Sequence, residues 1–202
     1  MNRLEFFFDL SSPWTFLAFT NVQNVIAAAQ AEIIYRPILV GGVFNAVNPA
    51  IYEARASSDN RRFAHSFKVL QDWAALAGMT LQFPNAYHPA KSVNAMRMAC
   101  ALEDDQPALF RFAKAAFEAF MLRGENLDDP AVLIAAADGA GLDGAAIRAA
   151  SVTDACKARL RTNTDELIAR GGYGSPTMFV NHDDIYFGND QLPLVAAALK
   201  KD

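Results

Sequence analysis

The chain has only two cysteines, Cys100 and Cys156, and no CxxC pair. Their neighbours are typical of helices and their spacing suits neither a disulfide framework nor a metal, so both are expected to be reduced and half-buried. The three histidines, His65, His88 and His182, share no metal spacing with one another or with the cysteines, and no metal site is expected. No run is long and apolar enough to cross a membrane. No basic run or aromatic-basic interleaving points to nucleic acid, and the net charge is −4. Met1-Asn2-Arg3 leads straight into an apolar strand and leaves no room for a secretion signal, so a soluble, cytoplasmic protein is expected. Internal repeats and low-complexity linkers are also lacking. What is present is a 202-residue chain that is 52% hydrophobic, enough for one sizeable domain or one domain carrying an insertion.

Leu4-Glu5-Phe6-Phe7-Phe8-Asp9 has the length and composition of a buried strand. From Pro13 to about Ala29, apolar residues recur at three- and four-residue spacing, as one face of a helix requires. Glu32 to Ile38 reads as a second strand, which gives a parallel crossover unit. After Gly41 the chain turns alanine-rich with helical periodicity. Helices are predicted at about 60–77, 91–103, 107–123, 129–140 and 144–171, the last with a break near its start; turn-like stretches fall at 45–49, 83–89, 124–130 and 139–144. The stripe Phe110, Phe112, Phe117, Phe120 reads as helix core. Gly171-Gly172 ends this region as a C-cap. Pro176 to Val180 and Ile185 to Phe187 are predicted strands joined by the hairpin signal Asn181-His182-Asp183-Asp184, and a short helix at about 190–200 follows.

Ser12-Pro13-Trp14-Thr15 stands where the first strand turns into the first helix, like a redox CxxC with both sulfurs replaced by hydroxyls. A Ser followed by a first-turn Pro is a good helix start, because the hydroxyl accepts an orphan N–H and proline has no donor to lose. The same geometry favours a nearby anion such as a thiolate. Ser12 cannot form a disulfide, so any sulfur would come with the ligand. Capping alone and thiolate binding both remain open on these residues. Ser175-Pro176 is a strand that begins with proline, and Asn189 or Asp190 is a plausible N-cap for the last helix.

A βαβ unit, a helical stretch and a ββα end follow the order of a thioredoxin fold interrupted in its middle. With FDLSSPWTFLA near the start, GYGSPTMFV after the helices and FGNDQLPLV at the end, the chain resembles the 2-hydroxychromene-2-carboxylate isomerases and the related kappa-class glutathione transferases, of the disulfide-bond oxidoreductase branch of thioredoxin-like proteins. The resemblance covers essentially the full length. It implies an α/β, thioredoxin-like fold made of residues 1–40 and 172–202, with 41–171 as an all-helical insertion.

The resemblance also implies a glutathione-dependent isomerase, a homodimer acting on a small aromatic carboxylic acid. Ser12, and not the neighbouring Ser11, takes the catalytic place beside the glutathione sulfur. Thr15 occupies the place of the second cysteine, where local packing or bonding is the expected role. Ser175, before a cis-proline, would pair through its backbone with the cysteinyl part of glutathione, and Asn189 and Asp190 would hold the γ-glutamyl end. Asn48 matches a glutathione-contacting asparagine. The segment Ala56 to Arg62 stands where relatives carry a lysine, with Arg62, or Arg61, as the nearest basic residue. Phe44, Asn45 and Tyr87 are expected at the substrate. His88 lies in a loop that approaches the site in relatives, and Lys91 falls where relatives often have a polar uncharged residue. Gln191 departs from the basic residue often found there. The resemblance implies reversible thiolate addition to the ring-opened substrate, bond rotation and elimination to trans-o-hydroxybenzylidenepyruvate. A kappa-like transferase, a thiol–disulfide oxidoreductase (disfavoured by the missing CxxC) and a non-catalytic binding module are the alternatives.

Overall fold

The computed structural model describes residues 2–52 and 61–200. In chain order the elements are β1 (Arg3–Phe8), α1 (Pro13–Ala29), β2 (Glu32–Pro37), α2 (Val40–Val47), α3 (Arg61–Leu76), α4 (Val93–Ala101), α5 (Gln106–Met121), α6 (Pro130–Gly139), α7 (Gly144–Ser151), α8 (Asp154–Ala169), β3 (Thr177–Val180), β4 (Asp184–Phe187), a 3₁₀ turn (Asn189–Gln191) and α9 (Leu192–Ala198). The strands form one sheet in the order β2-β1-β3-β4. β1 pairs parallel to β2 and antiparallel to β3, which pairs antiparallel to β4. This is the thioredoxin-like arrangement expected from the sequence.

Alternation along β1 sends Leu4, Phe6 and Phe8 to one face and Phe7 to the other. On the first face Phe8 meets Phe19 of α1 and Phe117 of α5, with ring centroids 6.3 and 6.4 Å apart. One apolar cluster thus joins the sheet to α1 and the helices between β2 and β3. A fully buried ring of this kind contributes roughly 2–3 kcal/mol. On the second face Phe7 packs with Ile38, Val43, Leu167 and Phe179 under α2 and α8.

Glu5 is buried on this second face, where it pairs with Arg170 at 2.7 Å, Arg3 at 3.3 Å and Arg36 at 3.6 Å. Burial pushes its carboxyl up, but the hydrogen bond and charge of Arg170, with the charges of Arg3 and Arg36, outweigh that and hold it below its ordinary value of 4.5. A lowered pKa stabilises the fold above the unfolded-chain value, and that stabilisation is lost as pH falls through the folded-state value. Glu5→Gln is therefore expected to lower the melting temperature at pH 7, with the gap to the wild type closing below about pH 4. Thermal denaturation across pH 3–7 measures this.

Several boundaries differ from expectation for local reasons. α2 stands where no helix was predicted and overlaps the stretch read as turn-like at 45–49, and Gly41 and Gly42 lower its helix propensity. Tertiary contacts override that: Val40 N–H is anchored on the Asp9 carboxylate and Leu39 N–H on Thr164 Oγ1, at 2.9 and 3.0 Å. The break expected near the start of the last long helix is there, and it separates α7 from α8 where Thr153 caps α8 by accepting from Cys156 N–H. Neither Asn189 nor Asp190 caps α9; the residue before it is Gln191, with no side-chain cap bond. Cys100 and Cys156 are free and buried, not half-buried, and burial pushes both thiols up, which makes them poor nucleophiles. Phe112, Phe117 and Phe120 are core as expected, while Phe110 is partly buried and stacks on Phe19 at 5.2 Å.

Candidate functional site

Ser12 has extended backbone angles and caps α1, its Oγ accepting from Thr15 N–H at 3.2 Å. The same hydroxyl donates to the Ser175 carbonyl at 3.2 Å. Pro13 has no N–H, and Thr15 and Phe16 bond back to Ser12, so the first-turn donor left over is Trp14 N–H. It has no partner among the described residues. A hydroxyl, a free backbone N–H and the positive end of a 17-residue helix together suit a small anion. Thr15 is buried and shares a 2.8 Å hydrogen bond with Ser175 Oγ. It serves to tie the helix start to the segment before β3.

Ser11 is turned elsewhere. Its N–H and its hydroxyl both donate to Asp9 Oδ1, at 2.9 and 2.8 Å. Asp9 Oδ2 accepts from Val40 N–H at 2.9 Å and from the Ser92 hydroxyl at 3.0 Å. Asp9 is 0% exposed, and burial pushes its pKa up although all four donors pull it down. Its own N–H donates to Ser175 Oγ at 2.9 Å. One carboxylate thus fixes the turn before α1 and the starts of α2 and α4. Sequence reading missed it, because an Asp ending a strand looks like an ordinary turn residue.

These elements enclose a cavity of about 900 Å³, at the upper end of common ligand-site sizes. Ser12, Phe44, Asn48 and Ser175 all line it. Asn48, at the end of α2, reaches across with its amide donating to the Tyr173 carbonyl at 3.4 Å. The Ser175-Pro176 peptide is cis, as expected. Gly174 lies where a Cβ would sit 2.8 Å from Phe187 Cε2, so its bareness lets that ring close the wall.

The other expected residues fall outside the cavity lining. Asn45 and Tyr87 are exposed, and Tyr87 N–H is held by Asn85 Oδ1 at 3.0 Å. Arg62 is exposed near the start of α3, and residues 56–60 of the basic segment lie outside the described residues. Asn189 is 2% exposed and its side chain points to α1, where its Oδ1 accepts from Asn21 at 2.9 Å. Asp190 is exposed beside Gly188. Gln191 Oε1 accepts from Phe187 N–H at 2.8 Å, a local tie that a basic side chain would not make. Trp14 of the first motif, Tyr173 of the second, and His88 and Lys91 of the loop expected near the site also line it, with Tyr52, Phe67 and Phe83, which no motif marked. Among the described residues no group of three or more His, Cys, Asp and Glu could hold a metal ion.

The chain is 27% identical to 2-hydroxychromene-2-carboxylate isomerase of Sphingobium xenophagum over 200 residues, 97% of each chain. It is 24% identical to glutathione S-transferase kappa 1 of Rattus norvegicus over 212 residues, 97% of this chain and 90% of that one. Among solved structures, a 2-hydroxychromene-2-carboxylate isomerase superposes with a TM-score of 0.78 at 24% identity, covering 98% of this chain and 94% of that one. Residues 3–200 match the family described as the DSBA-like thioredoxin domain. With a sheet, a helix start and a Ser175-Pro176 turn arranged as that fold requires, the chain belongs to the DSBA-like thioredoxin family, on a branch related to an isomerase and a glutathione transferase.

Proposed function

We propose that the protein is a glutathione-dependent isomerase acting on small aromatic carboxylic acids of the 2-hydroxychromene-2-carboxylate type. The observation that carries this reading is the donor set at the start of α1: Ser12 and Trp14 line a cavity with no thiol among its described lining residues, and the Trp14 N–H has no partner among the described residues. That set fits a thiolate brought by a ligand. Similarity along 97% of both chains to the isomerase supports the choice of reaction. When bound, glutathione supplies a thiol nucleophile that adds reversibly to an electron-poor carbon and departs unchanged.

The residues of this chain bind, orient and exclude water. Ser12 gives up its bond to the Ser175 carbonyl and turns its proton to the sulfur, favouring the anion at both its arrival and its departure. The freed Ser175 carbonyl then accepts from the peptide part of the ligand, and Asn48 holds the neighbouring backbone. Trp14, Phe44 and Phe187 form the apolar surroundings in which these few polar contacts count most. Asn189, whose side-chain oxygen is taken by Asn21, contributes through the backbone of the 3₁₀ turn, and the Asp190 carboxylate would meet the α-ammonium. The γ-glutamyl end would lie along that turn. Arg62, exposed near the start of α3, would supply the basic contact.

Incubating the protein with 2-hydroxychromene-2-carboxylate, with and without glutathione, tests the proposal. Ultraviolet spectra should show conversion to trans-o-hydroxybenzylidenepyruvate only when glutathione is present. Rapid conversion without it would sink the mechanism. The similarity to a kappa-class transferase favours one second reading, conjugation of an electrophile at the same site. Recovery of a stable glutathione adduct in place of free glutathione would select it.

A further inference from the structure

The cavity extends well beyond Ser12. One side is built from Ser175, Asn48 and Phe187; the other is the helical wall formed by α3, the loop before α4 and the start of α4 itself. That helical wall is mostly apolar: Phe67 and Phe83 stack with centroids 5.9 Å apart, and His88 meets the edge of Phe83 at 4.6 Å. One cationic residue, itself exposed, stands on it. Among the described residues lining the cavity, Lys91 is the single lysine or arginine.

Lys91, in the loop before α4, differs from the lysines that lie on helices. Lys68, Lys114 and Lys157 each pair with a carboxylate on their own helix. The Lys91 ammonium makes no ion pair or hydrogen bond among the described residues. Two acids, one in the cavity lining and one bonded to the neighbouring Ser92, are both engaged. Asp128, also in the lining, accepts from the Asn94 amide at 3.2 Å. Asp9 lies buried behind Ser92, with its oxygens filled by four donors. The Ser92–Asp9 hydrogen bond, at 3.0 Å, also fixes the backbone next to Lys91, so the lysine stem leaves from a rigid point.

We infer that Lys91 is a specificity-determining residue, which captures the carboxylate of a flat aromatic acid whose ring lies against the Phe67–Phe83 wall. The inference rests on the reading of this cavity as the site of an isomerase, and it deepens that reading by assigning the substrate's charge to one side chain. An ammonium acts as a compact point charge, so an arginine should replace it in part while an uncharged residue of the same length should not.

Isothermal titration of the glutathione-loaded protein with 2-naphthoate and with uncharged 2-naphthamide tests the assignment. The wild type should bind the naphthoate more tightly than the amide. Lys91→Met should weaken naphthoate about five- to tenfold, leave naphthamide unchanged, and leave glutathione affinity within about twofold. Lys91→Arg should restore most of the preference. Equal losses for acid and amide, an unchanged naphthoate affinity in Lys91→Met, a glutathione affinity that falls with it, or failure of the wild type to distinguish the two probes would each overturn the assignment. Turnover of 2-hydroxychromene-2-carboxylate is read separately. Failure of the isomerase proposal is thereby distinguished from failure of this subsite.

Discussion

Ser12→Ala is expected to lower glutathione-dependent isomerisation about a hundredfold while the protein stays folded. The hydroxyl is the one side-chain donor at the start of α1 that is free to turn toward a ligand sulfur, since its present acceptor is a carbonyl 3.2 Å away. Removing a single donor from a developing or stabilised anion typically costs about 10²–10³ in rate. The same change removes the cap on Thr15 N–H, which costs only about 1 kcal/mol of stability. Ser11→Ala supplies the contrast. Its hydroxyl is spent on Asp9 Oδ1 at 2.8 Å, so activity should stay within about fivefold, because one neutral-to-charged hydrogen bond away from the sulfur is lost. Steady-state rates of both variants at saturating glutathione measure the difference. Equal losses in the two, or a larger loss for Ser11→Ala, would place the thiolate contact on the wrong serine.

The largest stability effect is expected at Asp9. Asp9→Ala leaves the Ser11 N–H and hydroxyl, the Val40 N–H and the Ser92 hydroxyl without their acceptor. A fully buried donor stranded in this way costs about 1–3 kcal/mol; only the Ser92 bond is fully buried, the other three being part-buried, and relaxation and entering water recover part of the cost. A loss of about 4 kcal/mol is expected, or roughly 12 °C in melting temperature for a chain of this size. Asp9→Asn should cost less, because one amide oxygen still serves one pair of donors and the burial of charge is removed. Burial raises the Asp9 pKa, so the folded state binds that proton more tightly than the unfolded chain does. Stability from this group therefore falls as pH rises from about 3.8 through the folded-state value, and the deficit of Asp9→Ala relative to wild type should be greatest at the acid end of that window. Thermal melts of the three proteins across pH measure both effects. An Asp9→Ala protein as stable as the wild type would show that the network does not hold the three element starts together.

Much of the fold was legible because its signals are local. Leu4–Phe8 is apolar and aromatic, Pro13 follows a capping serine, and Asn181-His182 takes the positive φ angles of a tight hairpin, at 49° and 86°. α2 was not legible, since its two glycines argue against a helix while the anchors on Asp9 and Thr164 come from residues distant in sequence. The site divides in the same way. Ser12, Asn48 and Ser175 sit at element ends whose direction the fold fixes, and the structure brings all three to one cavity with Phe44. Asn45 and Tyr87 belong to stretches where no periodicity says which way a side chain faces, and both turn to solvent. The side chain of Asn189 turns inward instead, because Asn21 on α1 offers it an amide donor. Lys91 was noticed only as a departure from relatives, and its place beside the Phe67–Phe83 wall was hidden for a related reason: that shared face exists only once α3 and the loop before α4 are packed.

On the proposed function, the start of α1 would stabilise a thiolate that arrives with glutathione. Titrating the ultraviolet thiolate absorbance of glutathione bound to the wild-type protein tests it most directly. The bound thiol should ionise at a clearly lower pH than free glutathione, each unit of lowering corresponding to about 1.4 kcal/mol of preference for the anion, and Ser12→Ala should abolish most of that shift. Bound glutathione that ionises at the same pH as the free peptide, or a shift that survives intact in Ser12→Ala, would contradict the account.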